Sequence, residues 1–164
     1  MKKIAVVLGT ARENNFSEKV AKIVDDSLQK REIETKYVDV SDHLFGKSVS
    51  SDNEVVGKWA EIIDEVEGVI FVAPEYNHSY PGELKILIDS LYDEYKGKVA
   101  GVVSISAGQY GGVRLADKLK DLLHTVNFKL VHSEVNVSGV QKEIDEEKIN
   151  KHLETLVAEM NSLV

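Results

Sequence analysis

No cysteine occurs among the 164 residues, so disulfides, thiolate metal sites and a cysteine nucleophile are excluded. Proline is scarce, with Pro74 and Pro81 only, and no Pro/Gly/Ser-rich linker, repeat or low-complexity tract divides the chain. No apolar run approaches the ~20 residues that span a bilayer. Met1-Lys2-Lys3 followed by Ile4 to Leu8 has the charge order of a signal peptide. The apolar run is too short, however, and meets Gly9 without a cleavage-like site. A cytoplasmic location with no membrane partner is therefore expected. Basic clusters are missing too. The net charge is −8, and a phosphate-backbone partner needs a Lys/Arg patch, so no nucleic-acid partner is expected.

What is present is an ordinary globular mixture, 43% hydrophobic and 29% charged, long enough to bury one core. A single domain over residues 1–164 is expected. Ile4 to Leu8 is a continuous apolar run, as in a parallel strand covered on both faces. From Ser17 to Lys30 the apolar spacing becomes helical, through Val20, Ala21, Val24 and Leu28. Strands are then predicted at Lys36–Val40, Val69–Ala73, Val99–Ile105 and Lys129–Val137. Helices are predicted at Asn53–Val66, Pro81–Tyr92, Gly112–Val126 and Asp145–Leu163, with Ser41–Asp52 as a surface loop. Five β-α units imply an α/β, doubly wound parallel sheet, because right-handed crossovers place helices on both faces. The expected strand order is 2-1-3-4-5, the flavodoxin-like arrangement. Ligands of such sheets sit beyond the carboxyl ends of the strands, at the switch between strands one and three.

That rule points to the loops after strands one, three and four. The first, Gly9 to Ser17, opens a helix, whose N-terminal N–H groups and partial positive charge suit a phosphate. Thr10 and Ser17 add hydroxyls and Arg12 a two-pronged guanidinium, although a capping Ser17 and a solvated Arg12 explain the same residues. The three glycines of a dinucleotide fingerprint and the Gly-Lys-Ser/Thr of a P-loop are both lacking, so a mononucleotide fits better than NAD or ATP. The second loop, Pro74 to Gly82, has the Pro, Asn, Ser and Gly content of a tight turn with exposed backbone. Tyr76 and Tyr80 offer it aromatic surface, or else pack in the core. His78 has no partner at metal spacing and is assigned no catalytic role. The third, Ser106 to Gly112, carries three glycines, which favour close approach or positive φ. Its successive N–H groups could form an anion-stabilising nest, or the stretch is a turn without a ligand.

Pro74-Glu75-Tyr76-Asn77-His78-Ser79-Tyr80-Pro81-Gly82-Glu83-Leu84-Lys85 resembles the PEYN-x-S-x-PG-x-LK signature of the NADPH-dependent FMN reductases, a family that includes quinone, azo-dye and chromate reductases. Gly9-Thr10-Ala11-Arg12 with Ser17 is similar to that family's phosphate loop, and Ser106 to Gly112 lies where its third flavin loop belongs. The resemblance implies FMN as cofactor, with Gly9, Thr10, Arg12 and Ser17 at the phosphate and Pro74, Glu75, Tyr76 and Asn77 along the ring system. Ser106, Gly108, Gln109, Tyr110 and Gly111 would close the other side. Thr10 stands where the family has Ser, Ile86 where Asn is common, and the stretch between Arg12 and Ser17 is a residue or two longer. The resemblance further implies a homodimer or homotetramer. Tyr76, Tyr80, Tyr92 and Tyr95 are compatible with an aromatic interface or equally with a core.

The implied activity is ping-pong hydride transfer from NADPH or NADH to FMN. Electrons then pass to a small-molecule acceptor: a quinone, azo compound, free flavin or metal oxyanion. The cofactor does the chemistry, so no catalytic side chain and no metal are named. The alternative is a flavodoxin-type electron carrier without its own NAD(P)H oxidase activity. Arg12 speaks against it, because carriers have a Ser/Thr/Gly-rich phosphate loop. A phosphoacceptor receiver domain needs an acidic pair after strand one and an Asp ending strand three, where this chain has Gly9-Thr10 and Ala73-Pro74.

Overall fold

A computed structural model of the chain describes residues 1–43 and 53–164. Its sheet starts from the apolar runs. Strands β1 (Lys3–Leu8), β3 (Gly68–Pro74) and β4 (Val99–Ile105) are buried almost throughout because they form the middle of a parallel sheet with both faces covered. With β2 (Glu34–Asp39) on one side and β5 (Lys129–Leu130) on the other, the order is β2-β1-β3-β4-β5. All pairings are parallel, with Val7 opposite Phe71 and Phe71 opposite Val102. The expected flavodoxin-like order is the observed one.

Alternation along the strands supplies two cores. Ala5, Val7, Val69, Phe71 and Ala73 face α2 (Glu54–Glu65), α3 (Gly82–Asp89) and α4 (Val113–Thr125), where they meet Trp59, Leu84 and Leu115. Ile4, Val6, Leu8, Ile70 and Val72 face α1 (Ser17–Gln29) and α5 (Glu146–Ser162), meeting Val20, Val24, Leu28, Leu153 and Met160. Each such buried aliphatic side chain contributes about 1.5–3 kcal/mol by leaving water. Asn53 caps α2 by accepting from Val55 N–H at 2.9 Å, and Asp145 caps α5 by accepting from Lys148 N–H at 2.9 Å. Either cap satisfies a backbone donor that has no partner within its helix.

Three expectations are corrected. The strand predicted over Lys129–Val137 is broken into β5 and β6 (Val135–Val137), both paired with β4. Side chains satisfy the backbone in the gap: Glu159 accepts from Ser133 N–H at 2.9 Å, and Lys120 Nζ donates to the His132 carbonyl at 3.0 Å. The helix predicted through Tyr92 ends at Asp89, where the N–H and Oγ of Ser90 both donate back to the Leu87 carbonyl, at 3.3 and 2.6 Å, and tighten the last turn. Of the predicted loop Ser41–Asp52, Ser41 to His43 belong to a short 3-10 turn, Val40–His43; residues 44–52 lie outside those described. Among the clustered tyrosines, Tyr95 is core. Its hydroxyl accepts from Trp59 Nε1 at 2.8 Å and donates to the Ile88 carbonyl at 3.1 Å, while its ring stacks on Phe128. Tyr92 is exposed.

His43 is buried edge-on against Trp59, with ring centroids 6.2 Å apart. Burial holds its pKa below the ordinary 6.5, against the opposing pull of the Val55 backbone, Asp42 and Asp39. The folded state therefore prefers neutral imidazole. As pH falls through 6.5 toward the depressed folded value, the unfolded chain is protonated first and stability is lost. His43→Leu is expected to flatten that part of the stability-pH curve, measured as urea midpoints at successive pH values. Equal slopes in the two proteins would count against it.

Candidate functional site

Beyond the carboxyl ends of β1, β3, β4 and β6 the loops enclose a cleft of ≈ 510 Å³, lined chiefly by Arg12 to Ser17, Pro74 to Tyr76 and Ile105 to Ala107. Its first wall begins where β1 ends. Gly9 donates to the Val72 carbonyl at 2.8 Å, and a Cβ there would stand 2.9 Å from Leu84 Cδ2 and 3.0 Å from Ala73 Cβ. Any larger residue there would have to push Leu84 and Ala73 aside where the chain leaves the sheet beside α3. Thr10 follows, 1% exposed, and Arg12 turns outward into solvent. Asn15 then closes the loop: its Nδ2 donates to the Arg12 carbonyl at 2.7 Å and its Oδ1 accepts from Glu18 N–H at 2.8 Å. The capping side chain of α1 is thus Asn15, while Ser17 is the first helical residue, buried at the cleft. The N-terminus of α1, at Phe16 and Ser17, forms part of the cleft lining.

The second wall is a two-residue hairpin. Tyr76 N–H donates to Ser79 and Ser79 N–H to Tyr76, both at 2.9 Å, with Asn77 and His78 at φ 49° and 62° between them. Two left-handed residues in succession make the type I′ turn that matches strand twist, so Asn77 and His78 project at an exposed tip. Glu75 N–H donates to the Ile105 carbonyl at 2.8 Å, which extends the β3–β4 ladder into the loops. The Arg12 guanidinium lies 5.9 Å from the centre of the Tyr76 ring, within cation–π range.

The third wall is tied to a fourth loop, the one that follows β6. Ser106 N–H donates to Val137 at 2.9 Å and Gly139 N–H to Gly108 at 3.0 Å, which brings Val140 and Gln141 into the cleft lining. Gly111 and Gly112 have φ 63° and 84°. A Cβ on Gly111 would come 2.9 Å from the Asn136 backbone carbon, whereas one on Gly108 would meet nothing nearer than Ser106 Oγ at 4.0 Å. The close approach at Gly111 is therefore to β6, within the protein. Asn136 is held from behind, its Nδ2 donating to Glu134 at 2.9 Å. Burial raises the pKa of Glu134, but hydrogen bonds from Lys120 and Asn136 outweigh it and keep the carboxyl below its ordinary range.

Of the residues expected at the site, Arg12, Ser17, Pro74, Glu75, Tyr76 and Ser106 line the cleft together. Gly9 and Thr10 lie buried behind its first wall, and Asn77 sits at the hairpin tip. Gly108, Gln109 and Tyr110 are exposed and Gly111 is packed on β6, all outside the lining. Glu13, Asn14, Asn15, Phe16, Ile105, Ala107, Val140 and Gln141 line it without having been expected. The strand-end rule, applied to the fifth strand as well, would have pointed to the last two. No helix among the described residues is long and apolar enough to cross a membrane.

Comparison with known proteins agrees with this geometry. The chain is 28% identical over 149 residues to the NAD(P)H-dependent FMN reductase LOT6 of Saccharomyces cerevisiae, covering 79% of this chain and 77% of that one. It is 34% identical over 118 residues to a quinone reductase of Pseudomonas putida, covering 66% of this chain and 62% of the relative. In fold it is similar to FerB, a flavoenzyme NAD(P)H:(acceptor) oxidoreductase from Paracoccus denitrificans, with a TM-score of 0.80 at 24% identity over 99% of this chain and 97% of that one. A family model described as NADPH-dependent FMN reductase matches residues 2–142, and the chain belongs to that family.

Proposed function

We propose that this protein is an NAD(P)H-dependent, FMN-containing oxidoreductase that passes electrons to quinones or similar small acceptors. The observation that carries this is the convergence of the loops after β1, β3 and β4 on one cleft, with a cation, a helix N-terminus and an aromatic face among its walls. The donor set fits FMN. Arg12 and the first turn of α1, with Ser17, suit a phosphate dianion. Pro74, Tyr76, Ile105 and Val140 offer apolar surface to a flat ring, and the cleft volume lies within the range of small-molecule sites, roughly 300–1,000 Å³.

Bound FMN supplies the redox chemistry, accepting hydride from a nicotinamide and returning electrons to an acceptor. The chain's own residues bind and orient. Arg12 would hold the phosphate end by a charge-assisted fork, and its guanidinium lies over the Tyr76 ring. Glu75 and Tyr76 would lie along one side of the ring, and Ser106, Ala107 and Val140 would bound the opposite edge. A cytoplasmic homodimer or homotetramer belongs to the same proposal, resting on family membership.

The purified protein should show the visible absorbance bands of bound flavin after incubation with FMN and removal of the excess. It should also oxidise NADPH or NADH when a quinone is supplied. Absence of those bands would overturn the cofactor assignment. Bound flavin with no NAD(P)H oxidation by any quinone or dye would make the protein an electron carrier instead.

A further inference from the structure

Glu83 lies in the first turn of α3, where a negative charge is favoured by the helix dipole. Its side chain turns toward the first loop. A single oxygen, Oε1, accepts from Ala11 N–H at 2.9 Å and from the Thr10 hydroxyl at 3.2 Å. Thr10 Oγ1 also lies 3.0 Å from the Tyr76 hydroxyl and accepts from Arg12 N–H at 3.3 Å. A threonine has one proton to give, and a carboxylate can only accept. The direction is therefore fixed: Tyr76 donates to Thr10, and Thr10 donates to Glu83. Through that oxygen the first loop, the Tyr76 hairpin and α3 are joined.

We propose that Glu83 is a positioning residue of the flavin site. It fixes the Tyr76 ring and the start of the phosphate loop in one register through Thr10. The inference rests on the FMN reading for its functional consequence. It assigns Thr10 to this brace instead of to the phosphate: the Thr10 proton is already donated to Glu83, and a phosphate dianion has none to offer in exchange. Loss of the carboxylate would strand the Thr10 hydroxyl and the Ala11 N–H in a mostly buried setting, where unmade hydrogen bonds are penalised. Tyr76, which lines the cleft, and Arg12, whose backbone N–H rests on Thr10, would both lose their reference point.

The test compares FMN with riboflavin, which has the ring system without the phosphate, by flavin fluorescence titration. Glu83→Leu and Thr10→Val should each weaken both ligands about 10-fold, as expected for one lost hydrogen-bonded contact. The double variant should also lose about 10-fold, not about 100-fold, because both changes break the same brace. Glu83→Gln, whose amide oxygen accepts the same two bonds, should recover most of the affinity lost in Glu83→Leu. A Thr10→Val defect confined to FMN, or defects that multiply in the double variant, would mean that Thr10 serves the phosphate directly, and the brace would be wrong.

A second readout needs no flavin. Hydrogen exchange of the Ala11 amide should be about 10-fold faster in Glu83→Leu than in the unaltered protein, at unchanged far-UV circular dichroism. Equal exchange rates would overturn the brace on their own. If the unaltered protein binds neither flavin yet protects Ala11, the cofactor reading fails while the brace stands. If it binds flavin but the Glu83 and Thr10 variants bind as it does, the brace alone fails.

Discussion

Arg12→Ala is expected to weaken FMN binding by about 2–3 kcal/mol, roughly 30- to 150-fold, within the range for hydrogen bonds to a charged group. Riboflavin affinity should change much less, because the guanidinium meets the ring system only through its contact with Tyr76 at 5.9 Å. Arg12→Lys keeps the charge but loses the planar fork, so an intermediate defect is expected. Arg12 is exposed and anchored by its backbone, so its side chain can be removed without disturbing the fold. Titration of the three proteins with FMN and riboflavin by fluorescence checks this. An equal loss for both ligands would place Arg12 against the ring, and the α1 N-terminus would no longer be the phosphate end.

The second large effect concerns two glycines of the same loop. Gly111→Ala should lower stability by about 2–4 kcal/mol, from the left-handed backbone that L side chains resist and from forced overlap with a neighbour. The neighbour is the backbone of Asn136, 2.9 Å from the new methyl, and a sheet strand cannot rotate away as a side-chain tip could. Gly108→Ala should stay within about 0.5 kcal/mol of the unaltered protein, like other surface substitutions, since its nearest neighbour is 4.0 Å away. Urea unfolding of both variants measures the difference. Equal effects would mean that the third loop is not clamped on β6.

That contrast shows what a sequence can and cannot carry. Three glycines in five residues announce an unusual turn, and the turn is there. Which glycine is indispensable depends on Asn136, 25 residues further along, and no local pattern links the two. The same limit explains the fifth strand. Val131 and Val135 suit a strand, and the gap between them is made by Glu159 and Lys120, which reach Ser133 and His132 from two helices. By contrast β1, β3 and β4 were plain, because burial on both faces writes itself as an unbroken apolar run. The cleft was half legible. Arg12, Ser17 and Tyr76 stood out by chemistry at strand ends, whereas Val140 and Gln141 reach it through the pairing of the loop after β6 with Ser106 and Gly108. Glu83 stood in the sequence only as one residue of the Pro74–Lys85 motif. Its interest lies in Thr10 and Ala11, some seventy residues away.

The interrupted fifth strand also bears on strand-to-strand pairing between copies at this margin of the sheet. A sheet margin with a long row of open N–H and C=O groups is a template on which a second chain can polymerise. Here that margin is a two-residue piece and a three-residue piece, separated by a kink whose backbone is engaged by Glu159 and Lys120. Neither piece is long enough to recruit a foreign strand. A mutation that healed the break would lengthen the sheet and, with it, invite aggregation.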